Sequence, residues 1–300
     1  MNTTSVRDLY AETTARIVAA LEQGTAPWIK PWSTGIDTLP MNGATRRLYR
    51  GVNVLLLELE AATHGYPLHR WLSYRQALEL GGQVRKGERG TTVVFWKLRK
   101  VDATAGGHHD DNEPELHERV IPLLRAYTVF NVAQVDGLPG GITATERPAW
   151  EPEARAAGLL ADSGARIQHG GCKAYYQPGT DVIQLPAQAA FATAADYIAT
   201  ALHELVHWTS HPSRCNRQLG KRFGDDAYAM EELIAEAGSA FLCAHCRVDG
   251  QLQHASYISN WLRVLRGDTR AIFVATTKAQ QAADFILNLT HPAEAIALAA

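Results

Sequence analysis

The run His203-Glu204-Leu205-Val206-His207 has residue types and a spacing that could carry out metal-dependent hydrolysis. On a helix, two histidines four residues apart project from one face, so their imidazole nitrogens can bind one Zn²⁺. The glutamate after the first histidine then lies close enough to act as general base on a water molecule at that ion. The chain contains 12 histidines, so a five-residue pattern can also arise by chance, and the flanking sequence must decide.

The residues before this motif indicate the helix that it needs. Apolar side chains recur at the spacing of one helical face between residues 194 and 205. Thr193 is a suitable N-cap for a helix that begins there. A structural pair of core histidines would not need Glu204 beside them, because a buried unpaired carboxylate costs free energy. The context therefore favours a metal site.

A third protein ligand is expected on a helix predicted for residues 228–242. Glu232 and Glu236 lie four residues apart and share a face, whereas Glu231 points about a quarter-turn away. We predict that Glu232 is the third ligand and that Glu236 accepts the free N–H of a ligand histidine, with Glu236 as the alternative ligand. The other interpretation is a solvated acidic face. Tyr228 is a candidate hydrogen-bond donor to the oxyanion of the reaction.

Length and composition are those of a globular protein with two domains. The 300 residues are 46% hydrophobic, which is ample for buried cores. The sequence has no apolar run of about 18 residues and no charged-then-apolar leader, so we expect no membrane association and a cytoplasmic location. The four cysteines do not form the pattern of a secreted disulfide framework. Cys243 and Cys246 flank a histidine but lack a second ligand pair, so we interpret them as packing residues at a helix end.

Charge is unevenly distributed, although the net charge is only −2. Residues 1–101 carry 14 Lys/Arg and 8 Asp/Glu side chains, and residues 102–300 carry 15 and 23. Within the basic front half, residues 46–100 hold 11 basic and 4 acidic side chains, interleaved with aromatic residues. Basic groups neutralise phosphates and exposed rings stack on unpaired bases, so this window could bind single-stranded nucleic acid. The alternative is that the aromatic residues belong to the core.

The candidate DNA-binding residues share this window and a basic or aromatic side chain. They are Arg46, Arg47, Arg50, Arg85, Lys86, Arg89, Trp96 and Lys97. The same half contains helical patterns over residues 5–23 and 51–65, a helix from the cap Ser73 to Leu80, and strand patterns over residues 91–97 and 120–131.

The chain resembles the ArdC-type antirestriction proteins of conjugative plasmids along nearly its whole length. In the front half the resemblance lies in residues 24–28, 49–53, 81–88 and 127–131. In the rear half it lies in residues 174–176, 183–186, 203–209, 231–236 and 279–284. Ser210 stands where this family leads us to expect glycine, and Cys215 where we expect leucine, but neither is a proposed ligand.

The resemblance implies an α+β fold class with two domains. Residues 1–136 would form an α+β domain that binds single-stranded DNA and that the family shares with a plasmid primase. Residues 137–152 would be a linker rich in Pro and Gly. Residues 153–300 would form a zincin-like, mainly helical metallopeptidase domain with a small antiparallel sheet. We expect that a fragment ending near residue 140 still binds single-stranded DNA.

The same resemblance implies roles for particular residues. Glu232 would fill the third-ligand position of thermolysin-like zincins, and Glu236 would hold a ligand histidine. The ion would be Zn²⁺, with Mn²⁺ or another divalent metal as alternatives. The strand around residues 183–185 would be the edge along which a peptide substrate adds as an extra strand.

Two functions from different classes are compatible with these features. In the first, the protein binds single-stranded DNA in the recipient bacterial cell and shields incoming plasmid DNA from host restriction endonucleases. In the second, DNA binding delivers a zinc metalloprotease to a restriction or host protein, and cleavage is the protective act. A metal-dependent nuclease is disfavoured, because such sites use carboxylates around octahedral Mg²⁺ or Mn²⁺.

Overall fold

The computed structural model describes residues 6–24, 39–102, 118–143, 152–217, 226–248 and 257–290. Within these ranges the helices are α1 (Val6–Glu22), α2 (Val52–His64), α3 (Tyr74–Glu79), α4 (Gly140–Thr143), α5 (Pro152–Asp162), α6 (Ala194–Trp208), α7 (Asp226–Cys246), α8 (Ile258–Gly267) and α9 (Ala271–Thr290). The strands are β1 (Met41–Asn42), β2 (Arg70–Ser73), β3 (Gln83–Val84), β4 (Thr91–Asp102), β5 (Glu118–Asn131), β6 (Val135–Asp136), β7 (Arg166–His169), β8 (Tyr175–Gln177) and β9 (Val182–Leu185).

The front half is built on a four-stranded sheet in the order β1-β2-β5-β4. Strands β4 and β5 form one long antiparallel pair, in register from Thr91 opposite Val129 onwards. Helix α2 is fixed to this sheet by the buried Asn53, whose side chain donates to the carbonyl of Val94 at 2.7 Å and accepts its N–H at 2.8 Å. Strands β3 and β6 form a separate pair.

The helices expected in this half are confirmed. Ser73 caps α3 by accepting the N–H of Gln76, whose side chain in turn accepts the N–H of Ser73. Gly65 ends α2 in the left-handed conformation, at a φ of 64° that glycine adopts without steric cost.

The rear half packs helices against a three-stranded sheet in the order β7-β9-β8. The β9–β8 pair is antiparallel as expected, but the β9–β7 pair is parallel, so this sheet is mixed. The prediction that residues 183–185 form the edge strand is wrong, because β9 lies between β7 and β8. The edge on the side of the candidate site is β8, which contacts α6.

The two halves share one hydrophobic core. Leu9, Ile17 and Leu21 of α1 lie in the same buried cluster as residues of α6, α7 and α9. The ring of Tyr10 meets that of Phe273 edge-on at 4.6 Å between centroids. The predicted helix over residues 5–23 is therefore confirmed as a helix, but it contributes to both halves. This packing argues against independent domains.

Part of the stretch predicted as a linker packs onto the front half. Leu138 and Ile142 contact the cluster around the buried Leu72. The guanidinium of Arg70 donates to the carbonyl of Ile142 at 2.7 Å. The position of the domain boundary stays a prediction.

Two further expectations can be compared with the fold. Cys243 and Cys246 are buried in the shared core, which fits their interpretation as packing residues. Among the described residues, every helix is too short or too polar to span a bilayer.

Candidate metal centre and nucleic-acid surface

Helices α6 and α7 bring the predicted ligands together. Thr193 caps α6 by accepting the N–H of Asp196 at 3.0 Å, which starts the helix in the phase that turns both motif histidines towards α7. The two helices approach closely at Gly238, where a Cβ atom would stand 3.0 Å from both methyl groups of Val206. A side chain at this position would push the helices apart, so glycine sets their separation.

The donor atoms of His203, His207 and Glu232 lie within 4.8 Å of one another. The two Nε2 atoms are 3.2 Å apart, and each lies 3.5–3.6 Å from an oxygen of Glu232. Bonds of about 2.0–2.1 Å in a tetrahedron place ligand atoms roughly 3.3–3.4 Å apart, so the spacing fits a divalent ion. Two imidazole nitrogens facing each other beside a carboxylate are also the donor set that such an ion binds.

The carboxylates around these two histidines favour a positive charge on their imidazole rings. Desolvation lowers the pKa of His207, but Glu231 and Glu232 outweigh it and hold the pKa well above the ordinary histidine value. The pKa of His203 is raised in the same way, mainly by Glu232. Burial raises the pKa of Glu232, but the two histidines outweigh it and hold the pKa well below its ordinary value. The same field that favours imidazolium favours a metal cation between these groups.

His207 is held by a buried ion pair that the sequence analysis missed. Its Nδ1 donates to Glu231 Oε1 at 3.2 Å, which leaves Nε2 free to bind a metal. Arg217 donates to both oxygens of Glu231 at 2.8 and 3.0 Å. The guanidinium also donates to the Thr209 hydroxyl at 2.7 Å and to the Val206 carbonyl at 2.8 Å, at the end of α6. This chain of contacts orients His207.

Glu236, which was predicted to accept the free N–H of a ligand histidine, lies beside the Nδ1 of His203. Its Oε1 is 3.8 Å from the Nδ1 of His203, which is too long for a hydrogen bond. Its role as the support of a ligand histidine stays a prediction.

Glu204 is buried and lines a cleft over the donor atoms. The cleft has a volume of about 310 Å³ and is lined by Ala174, Tyr175, Tyr176, Pro178, His203, Glu204, His207, Tyr228, Glu231, Glu232 and Tyr257. The backbone of Tyr176 in β8 lies close to the Glu204 carboxylate and lowers its pKa, opposite to the effect of burial. Burial raises the pKa of Glu204, which brings the carboxyl closer to the range suited to proton transfer.

Tyr228 and Tyr257 both line this cleft. Tyr228, the predicted oxyanion donor, stands 3.4 Å from the hydroxyl of Tyr257. Burial, the contact with Tyr257 and the charge of Glu232 raise the pKa of Tyr228, so it stays a neutral donor. Tyr257 was missed, since it lies outside any motif.

Strand β8 is fastened to the end of α6. Tyr176 donates to Asp181 at 2.9 Å, and Arg214 forms an ion pair with the same carboxylate. Arg214 also donates to the Trp208 carbonyl at 2.7 Å, with its guanidinium 3.9 Å above the Trp208 ring. Burial and Asp181 raise the pKa of Tyr176 to about 12, so this hydroxyl remains a donor.

The structure distinguishes among the candidate DNA-binding residues. Arg50 forms an ion pair with Asp284 of α9, and so joins the two halves. Arg85 forms ion pairs with Glu88 at 2.7 Å and Asp136 at 3.2 Å, which balance its charge. The others keep at least part of their side chain at the surface; they are Arg46, Arg47, Lys86, Arg89, Trp96 and Lys97. DNA contact by any of them stays a prediction.

Comparison with known families matches both halves of the chain. Residues 7–130 match the family described as the N-terminal domain of anti-restriction factor ArdC. Residues 154–278 match the family described as zincin-like metallopeptidase, whose name implies a divalent metal ion.

Individual proteins match over most of the chain. The uncharacterized protein y4eC of Sinorhizobium fredii is 45% identical over 93% of this chain and 91% of its own length. Two proteins named DNA primase TraC of Escherichia coli are 39% and 38% identical over 94% and 91% of this chain. The chain spans only 27% and 19% of those two proteins.

Two crystal structures of the antirestriction ArdC protein from the R388 plasmid have the same fold. The metal-free structure is 42% identical, with a TM-score of 0.80, and the Mn(II)-bound structure is 41% identical, with a TM-score of 0.76. Each comparison covers 95% of this chain and 98% of the other.

Proposed function

Since the chain belongs to the ArdC family of antirestriction proteins, we propose that it binds single-stranded DNA and protects incoming conjugative plasmid DNA from host restriction endonucleases. The observation that carries this proposal is the likeness to the ArdC protein of plasmid R388 over 95% of the chain. The exposed cations on the described part of the front half supply the charge that phosphates require.

The test is an antirestriction assay in a recipient cell. Conjugation of a plasmid that carries restriction sites is measured into restricting and non-restricting recipients, with and without this protein. We expect the protein to raise transfer only into the restricting recipient. An equal effect in both recipients, or none in either, would contradict the proposal.

The candidate metal centre supports a second function, a zinc metallopeptidase that DNA binding delivers to a protein substrate. His203, His207 and Glu232 would hold the ion, which would supply Lewis acidity towards a substrate carbonyl. Glu204 would accept a proton from the attacking water and return it to the leaving amine. Tyr228, and with it Tyr257, would donate hydrogen bonds to the carbonyl oxygen.

The observation that favours this second function is the position of Glu204. It is buried and lines the same cleft as the three proposed ligands. Burying a carboxylate costs free energy, and a catalytic role would account for a glutamate at this position.

Replacement of Glu204 separates the two functions. Glu204→Gln is assayed for antirestriction and for cleavage of restriction proteins and host proteins, with Glu79→Gln on an exposed helix as matched control. Full protection by a variant that has lost all cleavage would exclude proteolysis as the protective act. Loss of protection with single-strand binding unchanged would favour the protease.

A further inference from the structure

Two aromatic rings stand exposed on one face of the β4–β5 pair. Phe95 is 44% exposed and Tyr127 is 51% exposed. They are diagonal neighbours across the pair, because Phe95 is opposite Arg125 and Tyr127 is opposite Val93. Their ring centroids are 5.5 Å apart and their planes meet at 74°, an edge-to-face pair, and the ring of Tyr49 lies 6.3 Å from that of Phe95.

Both faces of these strands are covered in part: Val93 and Val129, on the face of Phe95, are buried, and so are side chains of the other face. On that other face, Val94 and Leu124 are buried in the core that the two halves share. Trp96 points to the side of Val94, where its ring lies 6.1 Å from that of Tyr10, and the residue is 51% exposed. Alternation along the strands therefore separates Phe95, which is outward, from Trp96, which borders α1.

Two cations flank the exposed rings on the outward face. Arg125 is the direct cross-strand partner of Phe95, and Lys97 is the next residue of β4 on that face. Both side chains are exposed, and neither forms an ion pair within the described part of the chain. We name the set Phe95, Lys97, Arg125 and Tyr127 the outward face.

We propose that the outward face is where single-stranded DNA binds, with bases stacked on Phe95 and Tyr127 and phosphates neutralised by Lys97 and Arg125. This inference rests on the proposed single-strand binding and gives it a location. Every base offers a flat π-face, and successive phosphates of a strand pass alongside stacked bases, which is the arrangement of rings and cations seen here. Every nucleotide of a strand supplies a phosphate to match Lys97 and Arg125, whereas a protein partner would need acidic side chains at matching positions.

Several residues that the sequence suggested as DNA contacts lie outside the outward face. Arg50 and Arg85 are held by carboxylates, and Trp96 lies on the opposite face from Phe95 and Tyr127. Tyr74 is 48% exposed near Arg85 and Lys86, and marks a competing surface. These residues are therefore suitable controls.

The test uses the full chain and a fluorescein-labelled oligothymidylate, with affinity measured by anisotropy at several salt concentrations. Phe95→Ala and Tyr127→Ala should each weaken binding about 5- to 150-fold, since a base–ring stack contributes on that scale. Tyr127→Phe keeps the ring and should bind as the unchanged protein does. Tyr74→Ala and Trp96→Ala should change affinity less than about threefold.

Two further measurements separate stacking from charge. Arg125→Ala should reduce the slope of log affinity against log salt by about 0.7, the value for one phosphate of a single strand. The unchanged protein should bind an abasic oligonucleotide more weakly than the oligothymidylate. The double variant Phe95→Ala/Tyr127→Ala should bind these two oligonucleotides with equal affinity.

The outcomes distinguish this inference from the proposed function. If the unchanged protein does not bind the oligonucleotide, single-strand binding itself is wrong. If it binds but Tyr127→Ala and Arg125→Ala bind as tightly, or if Tyr74→Ala is the variant that weakens binding, the location is wrong. If the protein sediments as a dimer and Phe95→Ala dissociates that dimer, the outward face is an interface between two copies of the chain. That result would also overturn the proposed DNA-binding location.

Discussion

Removal of the guanidinium of Arg217 should loosen both the fold and the metal centre. Arg217 donates four hydrogen bonds, to Glu231, Thr209 and the Val206 carbonyl. The side chains of Arg217 and Glu231 are each only 4% exposed. In Arg217→Met, Glu231 would stay buried with its charge opposed only by His207.

The magnitude follows from that burial. Breaking a buried ion pair by removing one partner costs roughly 3–5 kcal/mol. At about 2–3 °C per kcal/mol for a chain of this size, the midpoint of thermal unfolding of the metal-free protein should fall by roughly 6–15 °C. His207 would also lose its orientation, and loss of a partner behind a ligand histidine typically weakens metal binding by about 10- to 100-fold.

The assay combines calorimetry of the metal-free protein with competition for Zn²⁺ and for Mn²⁺ against a chelator. Arg214→Met is the matched control, since Arg214 is also paired with a carboxylate near the end of α6 but contacts no proposed ligand. It should lower stability while changing metal affinity less than about threefold.

A double variant tests the reasoning about charge. Arg217→Met/Glu231→Gln removes both charges and keeps an amide oxygen for His207, so it should be more stable than Arg217→Met alone. Additive losses in the double variant, or an unchanged metal affinity in Arg217→Met, would refute the role assigned to this ion pair.

Three other perturbations have definite expected outcomes. Gly238→Ala should lower the midpoint of thermal unfolding, because the added methyl group overpacks against Val206. In a protein that already carries Val206→Ala, Gly238→Ala should instead raise the midpoint. Stabilisation by Gly238→Ala alone would contradict the close approach of α6 and α7. Asn53→Ala should cost roughly 2–4 kcal/mol in urea unfolding, because it leaves the buried N–H and carbonyl of Val94 unsatisfied. A fragment ending at residue 143 exposes the apolar side of α1 and should unfold without a cooperative calorimetric peak; a sharp peak would show that the front half folds alone.

The sequence predicted the parts of the site that local periodicity determines. Spacing along two helices was enough to predict the helix that carries His203 and His207, its Thr193 cap and the proximity of Glu232. The support of His207 by Arg217 could not be read in this way, because Arg217 lies on the segment after α6 and reaches Glu231 only in the folded chain.

The surface was harder to predict for a related reason. A strand pattern shows that Phe95 and Trp96 point to opposite faces, but it does not show which face is covered. That depends on α1, which packs there because it belongs to the shared core. Likewise, only tertiary contact pairs Arg50 with Asp284, which are 234 positions apart.

The core shared by α1, α6, α7 and α9 also limits which recombination events between genes can yield a folded protein. A recombination event that joined α1 to a foreign rear half would leave Leu9, Ile17 and Leu21 facing side chains that had not been selected to fit them. Exchange between genes should therefore succeed only when the entire stretch is transferred. In keeping with this, both proteins named TraC contain a match to nearly the whole of this chain, at 94% and 91% of its length, within much longer sequences.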